Sequence, residues 1–213
     1  MCRLLGYCAR DNASLAEIMG EPGLQAFTAL SSFHGDGWGM AWYDHRQLHV
    51  KKSPQRAADE PAFTEHAHRR LGELLPAAWE GQLAGTTDSE RYFLNVMSGL
   101  EAHGGDMIAA LDDTAARVDS LLQPNSLNAV FLTPDALYAV CWYHPERIPH
   151  TALAARAYDG PTECYFEVSY LETDGAVVVA SSGWPQEGWT SLPNRHVLVV
   201  DRDTLQAKVV PLR

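Results

Sequence analysis

Several absences narrow the classes of protein to which this chain can belong. It has no basic stripe, and its formal net charge is −11, so its acidic surface would repel a nucleic-acid backbone. No apolar run reaches membrane-spanning length, and no basic segment followed by an apolar stretch opens the chain as a signal peptide would. We therefore expect a cytoplasmic protein with neither a nucleic-acid nor a membrane partner.

The cysteines and histidines do not form a familiar metal site. A zinc-knuckle or thioredoxin signature is excluded, because no C-x-x-C pair joins the four cysteines, Cys2, Cys8, Cys141 and Cys164. The closest histidines, His66 and His68, lie two residues apart on a predicted helix, so their side chains diverge. The sequence has no nucleotide-binding loop either. We expect no metal ion and no cofactor, and thiols that stay free in a reducing cytoplasm.

What the sequence does contain is enough apolar surface for one large core. Hydrophobic residues make up 46% of the 213 residues, with six Trp, eight Tyr and six Phe, which predicts a single domain over residues 1–213. Strands at both ends with helices between them are typical of an α+β fold with stacked sheets. Strands are predicted at 4–9, 39–43, 47–52, 127–132, 137–143, 164–171, 176–181, 196–200 and 207–210, helices at 12–30 (as two short helices), 60–75, 88–100 and 107–122, and a loop at 183–193.

Cys2 is the most informative single residue. It follows Met1 and becomes the N-terminus once Met1 is removed, which the small size of cysteine permits. One residue then carries a thiol that can attack a carbonyl and an α-amine that titrates at about 7.7–8.0 and can move a proton near neutral pH. The alternative is a small buried hydrophobe at the start of the first strand.

Three motifs follow one another along the chain. The first is M-C-R-L-L-G-Y at residues 1–7, and the third is G-T-T-D-S-E-R-Y-F at residues 85–93, which has Asp88 at a predicted helix start. The second is H-G-D-G-W-G-M-A-W-Y at residues 34–43, which opens with His34, Gly35, Asp36, Gly37 and Trp38. A terminal cysteine, an H-x-D-G-W-G loop before a strand and a T-D-S-E helix start form, in that order, a specific combination.

In these motifs the sequence resembles the class II glutamine amidotransferases, within the N-terminal nucleophile hydrolases, and in particular the stand-alone branch that includes the ergothioneine-pathway amidohydrolase. The C-terminal half is also similar, at residues 127–132 and 137–139 and at Ala180 and Ser181 ahead of a loop. The resemblance implies an α+β fold, a four-layer αββα sandwich that is here shortened in the middle. It also implies that Cys2 hydrolyses the side-chain amide of glutamine or a γ-glutamyl compound.

The resemblance further implies which residues bind the substrate. Asp88 matches the family aspartate that pairs with the substrate α-ammonium, and a carboxylate at a helix start can do this while backbone N–H groups hold it. The alternative is that Asp88 is only an N-cap, and we prefer the binding role. The loop from His34 to Trp38 would wall the glutamine pocket, where glycines let the backbone approach a ligand closely. The alternative there is a tight turn into a strand. For Trp38 and Trp42 we prefer this alternative, with both side chains in the core, and we expect His34 to be structural rather than catalytic.

Two blocks of the family pattern are missing between the second and third motifs. One is an H-x-R-x-A-T stretch whose arginine grips the substrate α-carboxylate, and the other is an F-x-H-N-G stretch whose Asn and Gly supply oxyanion donors. The nearest remnant, residues 77–83, keeps Gly81 as a candidate catalytic donor but has Glu80 in place of the asparagine. An ionised carboxylate has no donor and would repel an oxyanion. Loss of one such donor typically costs about 10²–10³ in turnover.

Three functions remain open from the sequence. The first is an amidohydrolase of the class II type that acts on a small-molecule amide. The second, motivated by the missing blocks, is a non-catalytic homologue that serves as a binding or partner subunit. The third is a cysteine-based acylase with a different amide substrate. Assembly as a homo-oligomer or with a partner enzyme is compatible with each of them.

Overall fold

The computed structural model describes residues 3–10, 13, 15–30, 38–44, 47–53, 77–84, 87–155 and 161–213. The chain divides into two compact units. The sheet unit comprises Met1–Ala58 and Asn125–Pro211, and the helical unit comprises Asp59–Pro124 and Leu212–Arg213.

Two four-stranded antiparallel sheets make up most of the sheet unit. The first sheet has the strand order β1-β7-β6-β8, and the second has the order β10-β9-β5-β4. The strands of the first sheet are β1 Leu5–Ala9, β6 Val168–Glu172, β7 Ala176–Ser181 and β8 Thr190–Leu192. Those of the second are β4 Ala129–Leu132, β5 Ala136–Cys141, β9 His196–Asp201 and β10 Ala207–Pro211.

The two sheets pack face to face around one apolar core, which confirms the predicted α+β fold with stacked sheets. Strand β7 is buried along its whole length, and this explains its continuous apolar sequence. Strand β1 approaches the second sheet closely at Gly6, where a Cβ atom would lie 2.9 Å from Val130 Cγ1. The core contains Cys8, Val177 and Val179 from the first sheet and Leu137, Ala139 and Leu198 from the second, each at most 6% exposed.

Helix α1, Leu15–Ala29, consists of two helical segments joined at a kink, as the sequence predicts. Gly20 has φ +69°, a region that favours glycine, and Pro22 lacks the N–H that would continue the helical hydrogen bonding. The second segment packs through Phe27, whose ring meets the Trp184 ring edge to face at 6.4 Å. This contact ties α1 to the segment that follows β7.

Strands β2, Trp38–Asp44, and β3, Gln47–Ser53, pair antiparallel as a separate two-stranded sheet, and the predicted hairpin is confirmed. Trp42 is 39% exposed and stacks on His49 at 5.3 Å, so the expectation of a core position for Trp42 is wrong. Leu48 and Val50 are more than half exposed as well. A two-stranded ribbon has only one neighbouring strand for each strand, so packing on its own sheet buries little of these side chains.

The helical unit contains α2 Ala77–Glu80, α3 Asp88–Ala102 and α4 Met107–Leu122. Gly104 and Gly105, at φ +62° and +93°, form the predicted break between the two long helices. Gly99 faces α4 closely, because a Cβ there would lie 3.2 Å from Thr114 Oγ1. Between the helices the buried side chain of Asn95 donates to Arg91 O at 2.9 Å and accepts from Arg117 Nη2 at 3.3 Å.

Some predicted elements differ from the structure. The strand predicted from residue 164 begins at Val168, because Thr162–Cys164 forms a 3₁₀ turn first. The segment predicted as a loop from 183 to 193 contains β8, and a short helix α5 spans His150–Ala155. The helix predicted at 60–75 lies outside the described residues. Among the described helices, none is long and apolar enough to cross a membrane.

Two asparagine side chains complete the backbone hydrogen bonding beyond the end of β5. Asn128 accepts from Trp142 N at 2.8 Å and donates to Phe166 O at 2.6 Å. Asn194 accepts from Tyr143 N and donates to Tyr143 O, both at 2.9 Å. Each amide supplies both a donor and an acceptor, so each takes the place of a missing strand neighbour.

Candidate functional site

The residues predicted for the site differ in how far the structure describes them. Cys2 and the loop residues His34, Gly35, Asp36 and Gly37 lie outside the described residues. Trp38 is the first residue of β2. Gly81 and Asp88 belong to the helical unit, and both are described. The described candidates are thus divided between the units, with Trp38 in the sheet unit and Gly81 and Asp88 in the helical unit.

In the sheet unit, a residue shortly after Cys2 is hydrogen-bonded to the end of β7, far away in the sequence. Leu4 N donates to Ser181 Oγ at 3.1 Å, and Ser181 N donates to Leu4 O at 3.0 Å. Strand β1 then pairs with β7 from Leu5, opposite Ala180, to Ala9, opposite Ala176. The entry of the chain into its first strand is therefore fixed by the last residue of β7.

Arg3 is held just before this pairing begins. Its guanidinium lies over the Tyr165 ring, with Cζ 4.7 Å from the ring centroid, and Nη1 donates to Tyr165 O at 3.3 Å. Gly183 lies against the same guanidinium, because a Cβ at that position would be 2.9 Å from Arg3 Nη2. Gly183 also has φ +105°, so a side chain there would be strained as well as crowded.

The other three cysteines are poor nucleophiles. Burial raises the pKa of Cys8 to about 11 and that of Cys141 to about 12. Both thiols lie in the core between the sheets. Burial also raises the pKa of Cys164, and the nearby Glu167 raises it further. Since the thiolate is the reactive form, these three side chains stay protonated at neutral pH.

In the helical unit, Asp88 is the first residue of α3, and Thr87 is its N-cap. Thr87 Oγ1 accepts from Glu90 N at 3.2 Å, so the capping role belongs to Thr87 rather than to Asp88. Asp88 is exposed, and its Oδ1 accepts from Ser89 N at 2.8 Å. A negative charge in the first helical turn is stabilised by the helix dipole. Among the described residues, Oδ2 of Asp88 has no hydrogen-bond partner and is open to a cation.

The segment that carries Gly81 runs along α3. Trp79 Nε1 donates to Glu101 Oε2 at 3.2 Å, and Ala84 N donates to Glu90 Oε1 at 2.9 Å. Gly81 lies between these two ties, in a turn closed by Gln82 N donating to Trp79 O at 3.0 Å. It is exposed, and a Cβ there would meet nothing within 4 Å. Steric crowding therefore does not require a glycine at this position.

Sequence reasoning missed the residues that hold the start of the chain. Arg3 stands in the first motif and Ser181 in the C-terminal similarity, but neither was expected to have a role. Tyr165 carries no local signal, because its contact with Arg3 joins residues more than 150 positions apart. Gly183, two residues after an apolar strand, is the one feature of the sequence that could have pointed to a close approach there.

Comparisons with known proteins identify the fold. No family model matches the chain, and no curated protein matches it. One solved structure, described as a glutamine aminotransferase class-II domain protein from Silicibacter pomeroyi, is similar with a TM-score of 0.58 and 20% sequence identity, over 84% of this chain and 92% of that chain. The chain therefore has a class II glutamine amidotransferase-like fold of the α+β class, as its three motifs predicted.

Proposed function

We propose that this protein is a cysteine-dependent amidohydrolase that acts on the side-chain amide of glutamine or of a γ-glutamyl compound, with Cys2 as the nucleophile. The fold likeness carries the proposal, because the solved neighbour is described as a glutamine aminotransferase class-II domain protein. The raised pKa values of Cys8, Cys141 and Cys164 support it further, since they leave Cys2 as the candidate thiol.

The chemistry needs one nucleophile and one group that moves protons. After removal of Met1, the Cys2 thiol would give its proton to the α-amine and attack the amide carbonyl carbon, forming a tetrahedral oxyanion. Collapse of this intermediate breaks the C–N bond, and the departing ammonia or amine takes the proton from the α-ammonium. Water then attacks the thioester, which releases the γ-carboxylate and restores the thiol.

The remaining candidate residues have unequal support. Asp88 suits an α-ammonium group, because it is exposed, lies at a helix start and is not needed as the cap. The second motif is proposed to form the wall of the substrate pocket, and only its sequence supports this role. Its residues are His34, Gly35, Asp36, Gly37 and Trp38. Gly81 N–H is the proposed oxyanion donor. With Glu80 in place of an asparagine and no arginine block, turnover of free glutamine should be slow.

Cys2→Ala tests this function. Wild-type protein should release glutamate from glutamine or from a γ-glutamyl anilide, and mass spectrometry should find Met1 absent. Cys2→Ala should abolish hydrolysis and leave the thermal midpoint unchanged. Cys164→Ala is the matched control, because it removes a partly exposed thiol of the same unit and should retain activity.

The missing blocks favour one alternative, a non-catalytic binding or partner subunit that keeps the fold. A glutamine-analogue electrophile such as diazo-oxo-norleucine distinguishes the two. An adduct on Cys2 together with glutamate release supports the amidohydrolase. Retained Met1, or no adduct and no hydrolysis of either substrate, supports the non-catalytic subunit. Activity that persisted in Cys2→Ala would instead show that the nucleophile is another residue.

A further inference from the structure

The ribbon of β2 and β3 has a strand edge that no other described strand pairs with. Among the described strands, β3 pairs with β2 alone. β2 carries a contact with the rest of the sheet unit, because the Arg202 guanidinium lies over the Tyr43 ring at 5.0 Å. A two-stranded ribbon is only marginally stable by itself in water, and a free strand edge offers N–H and C=O groups to a further strand. The outer edge of β3 is therefore a place where another strand can be added.

The apolar side chains of β3 are largely exposed. Val50 is 59% exposed, more than any other large hydrophobic residue that the structure describes, and Leu48 is 51% exposed. They lie two residues apart and so share one face of the ribbon, whereas His49 between them lies on the other face, stacked on Trp42. A strand added at this edge would match β3 if it carried apolar residues at the same alternate positions.

The β3 strand of a second copy of the chain meets this requirement. When two identical strands pair antiparallel about a twofold axis through His49, Leu48 of each copy lies opposite Val50 of the other. An axis through Val50 would instead place Leu48 opposite Lys52. The axis through His49 is the one that gives both exposed apolar residues an apolar neighbour, and such cross-strand pairs stabilise a sheet.

The same register is also complementary in charge. Gln47 of one copy lies opposite Lys51 of the other, and Asp44 belongs to the same row, because it pairs with Gln47 across the ribbon. Each outer row of the combined sheet therefore contains a cation from one copy and a carboxylate from the other. No two like charges lie opposite each other between Gln47 and Lys51, whereas like charges in that position would weaken the pairing.

We propose that the chain forms a twofold symmetric dimer, in which the β3 strands of two copies pair antiparallel about His49 and join the two ribbons into one four-stranded sheet. Each copy uses one edge, so the contact closes at two copies. The apolar residues then form rows across all four strands, and each row consists of Tyr43, Leu48, Val50 and Ala41. Since the paired stretch is short, the dimer belongs to the weak, concentration-dependent class of interfaces.

Sedimentation velocity of the full-length protein tests the dimer. The wild type should shift from monomer to dimer between about 1 and about 100 μM. Val50→Lys places a charge against Leu48 of the other copy in two symmetric rows, and it should raise the dimer dissociation constant by about tenfold or more. Leu121→Lys is the matched control, because it changes a similarly exposed apolar residue of the helical unit and should leave the dissociation constant unchanged.

A charge exchange shows whether the two apolar positions face each other. The Leu48→Lys/Val50→Lys and Leu48→Glu/Val50→Glu double variants each place like charges opposite each other in both apolar rows, so each should be monomeric alone. A 1:1 mixture of the two variants should dimerise, because every row then pairs a cation with a carboxylate. Thermal midpoints close to that of the wild type show that the variants are folded.

A disulfide crosslink tests the position of the axis. Opposite residues of an antiparallel pair have Cα atoms about 4.5–5.5 Å apart, which suits a disulfide. His49→Cys should therefore crosslink two copies under mild oxidation, faster than the wild type does through its own cysteines. Gln47→Cys is the control, because two copies of residue 47 would lie about 14 Å apart along the strands and should not crosslink.

Three results would overturn the dimer. A wild type that stays monomeric at about 100 μM shows that the edge is not filled by a second copy. An unchanged dissociation constant in Val50→Lys shows that the copies meet at another surface, and equal crosslinking of Gln47→Cys and His49→Cys contradicts the axis. None of these measurements needs hydrolysis of an amide, so the proposed function and the dimer can fail separately.

Discussion

Two described segments, one beside Cys2 and one that carries Asp88, are held in different ways. The start of the chain depends on contacts far away in sequence, since Arg3 bonds to Tyr165, 162 positions on, and Leu4 bonds to Ser181, 177 positions on. The start of α3 depends on its neighbours, since Asp88 bonds to the next residue and Glu90 bonds to Thr87, three positions away. The first arrangement exists only when β7 is in place, whereas the second is encoded in four consecutive residues.

The two kinds of contact give the two segments different rigidity. A segment fixed by distant strands keeps one geometry as long as the sheet is folded, which is what the proposed nucleophile, directly before this segment in the sequence, would need. A helix start held by its own cap can stay formed while its exposed carboxylate changes rotamer to meet a substrate cation. Two predictions test this contrast, and a third tests the buried core of the sheet unit.

The largest effect is expected where the distant contact is removed. Ser181→Ala leaves the Leu4 N–H without its acceptor in a place with little access to water, which should cost about 1–3 kcal/mol of the free energy of unfolding. Hydrogen exchange at Leu4 should accelerate, while exchange in α3 should not change. Ser191→Ala, at an exposed position on β8, is the control and should stay within about 0.5 kcal/mol of wild type in urea unfolding. Equal losses in the two variants would contradict the long-range tie.

A smaller effect is expected from the local cap. Thr87→Ala removes the acceptor of Glu90 N and should cost about 0.5–2 kcal/mol, with faster hydrogen exchange confined to the first turn of α3. Thr87→Ser keeps the hydroxyl and should restore most of the loss. Faster exchange of Leu4 in Thr87→Ala would show that the two segments are coupled, and the contrast drawn above would then fail.

The smallest effect at neutral pH comes from the buried thiols of the sheet unit. The pKa of Cys8 is about 11 and that of Cys141 about 12 in the folded protein, whereas an unfolded thiol titrates near 8.5. The unfolded chain therefore loses these protons first, so the contribution of the two thiols to stability is constant below about pH 8.5 and falls as the pH rises towards 11. Urea unfolding between pH 7 and 10 should show this slope, and the Cys8→Ala/Cys141→Ala double variant should show less of it. Tyrosines add to the slope only near and above their ordinary pKa of about 10.

The elements that the sequence predicted correctly are those with local signals. Helices α3 and α4 follow from the T-D-S-E start, the Gly104-Gly105 break and helical spacing, and β7 follows from its apolar run. The kink at Gly20 follows from Gly20 and Pro22, two residues that interrupt a helix. The α+β class with stacked sheets followed from the order of the predicted strands and helices. The class II glutamine amidotransferase-like fold followed from the order of three motifs, because alternation of apolar residues does not say which strands become neighbours.

The elements that the sequence did not predict depend on partners. Strand β8 has only three residues, and it is a strand because it pairs with β6 through Thr190, Ser191 and Leu192. Trp42 was expected in the core because aromatic side chains are mostly buried, but its environment is a two-stranded ribbon where a histidine ring covers one face. In the sequence Arg3 is an ordinary charged residue. Its contacts with Tyr165 and Gly183 are seen only in the folded chain.

Deamidation of Asn194 would remove a backbone hydrogen bond described above. Its amide both accepts from Tyr143 N and donates to Tyr143 O, and Arg195 follows it with φ +59°. Deamidation would replace the Nδ2 donor with an oxygen, so the carbonyl of Tyr143 would face a carboxylate instead of an N–H group. A single slow hydrolysis of a side chain, with no change in chain length, would thus replace a hydrogen bond with a repulsion beyond the end of β5, between the two central strands of the second sheet.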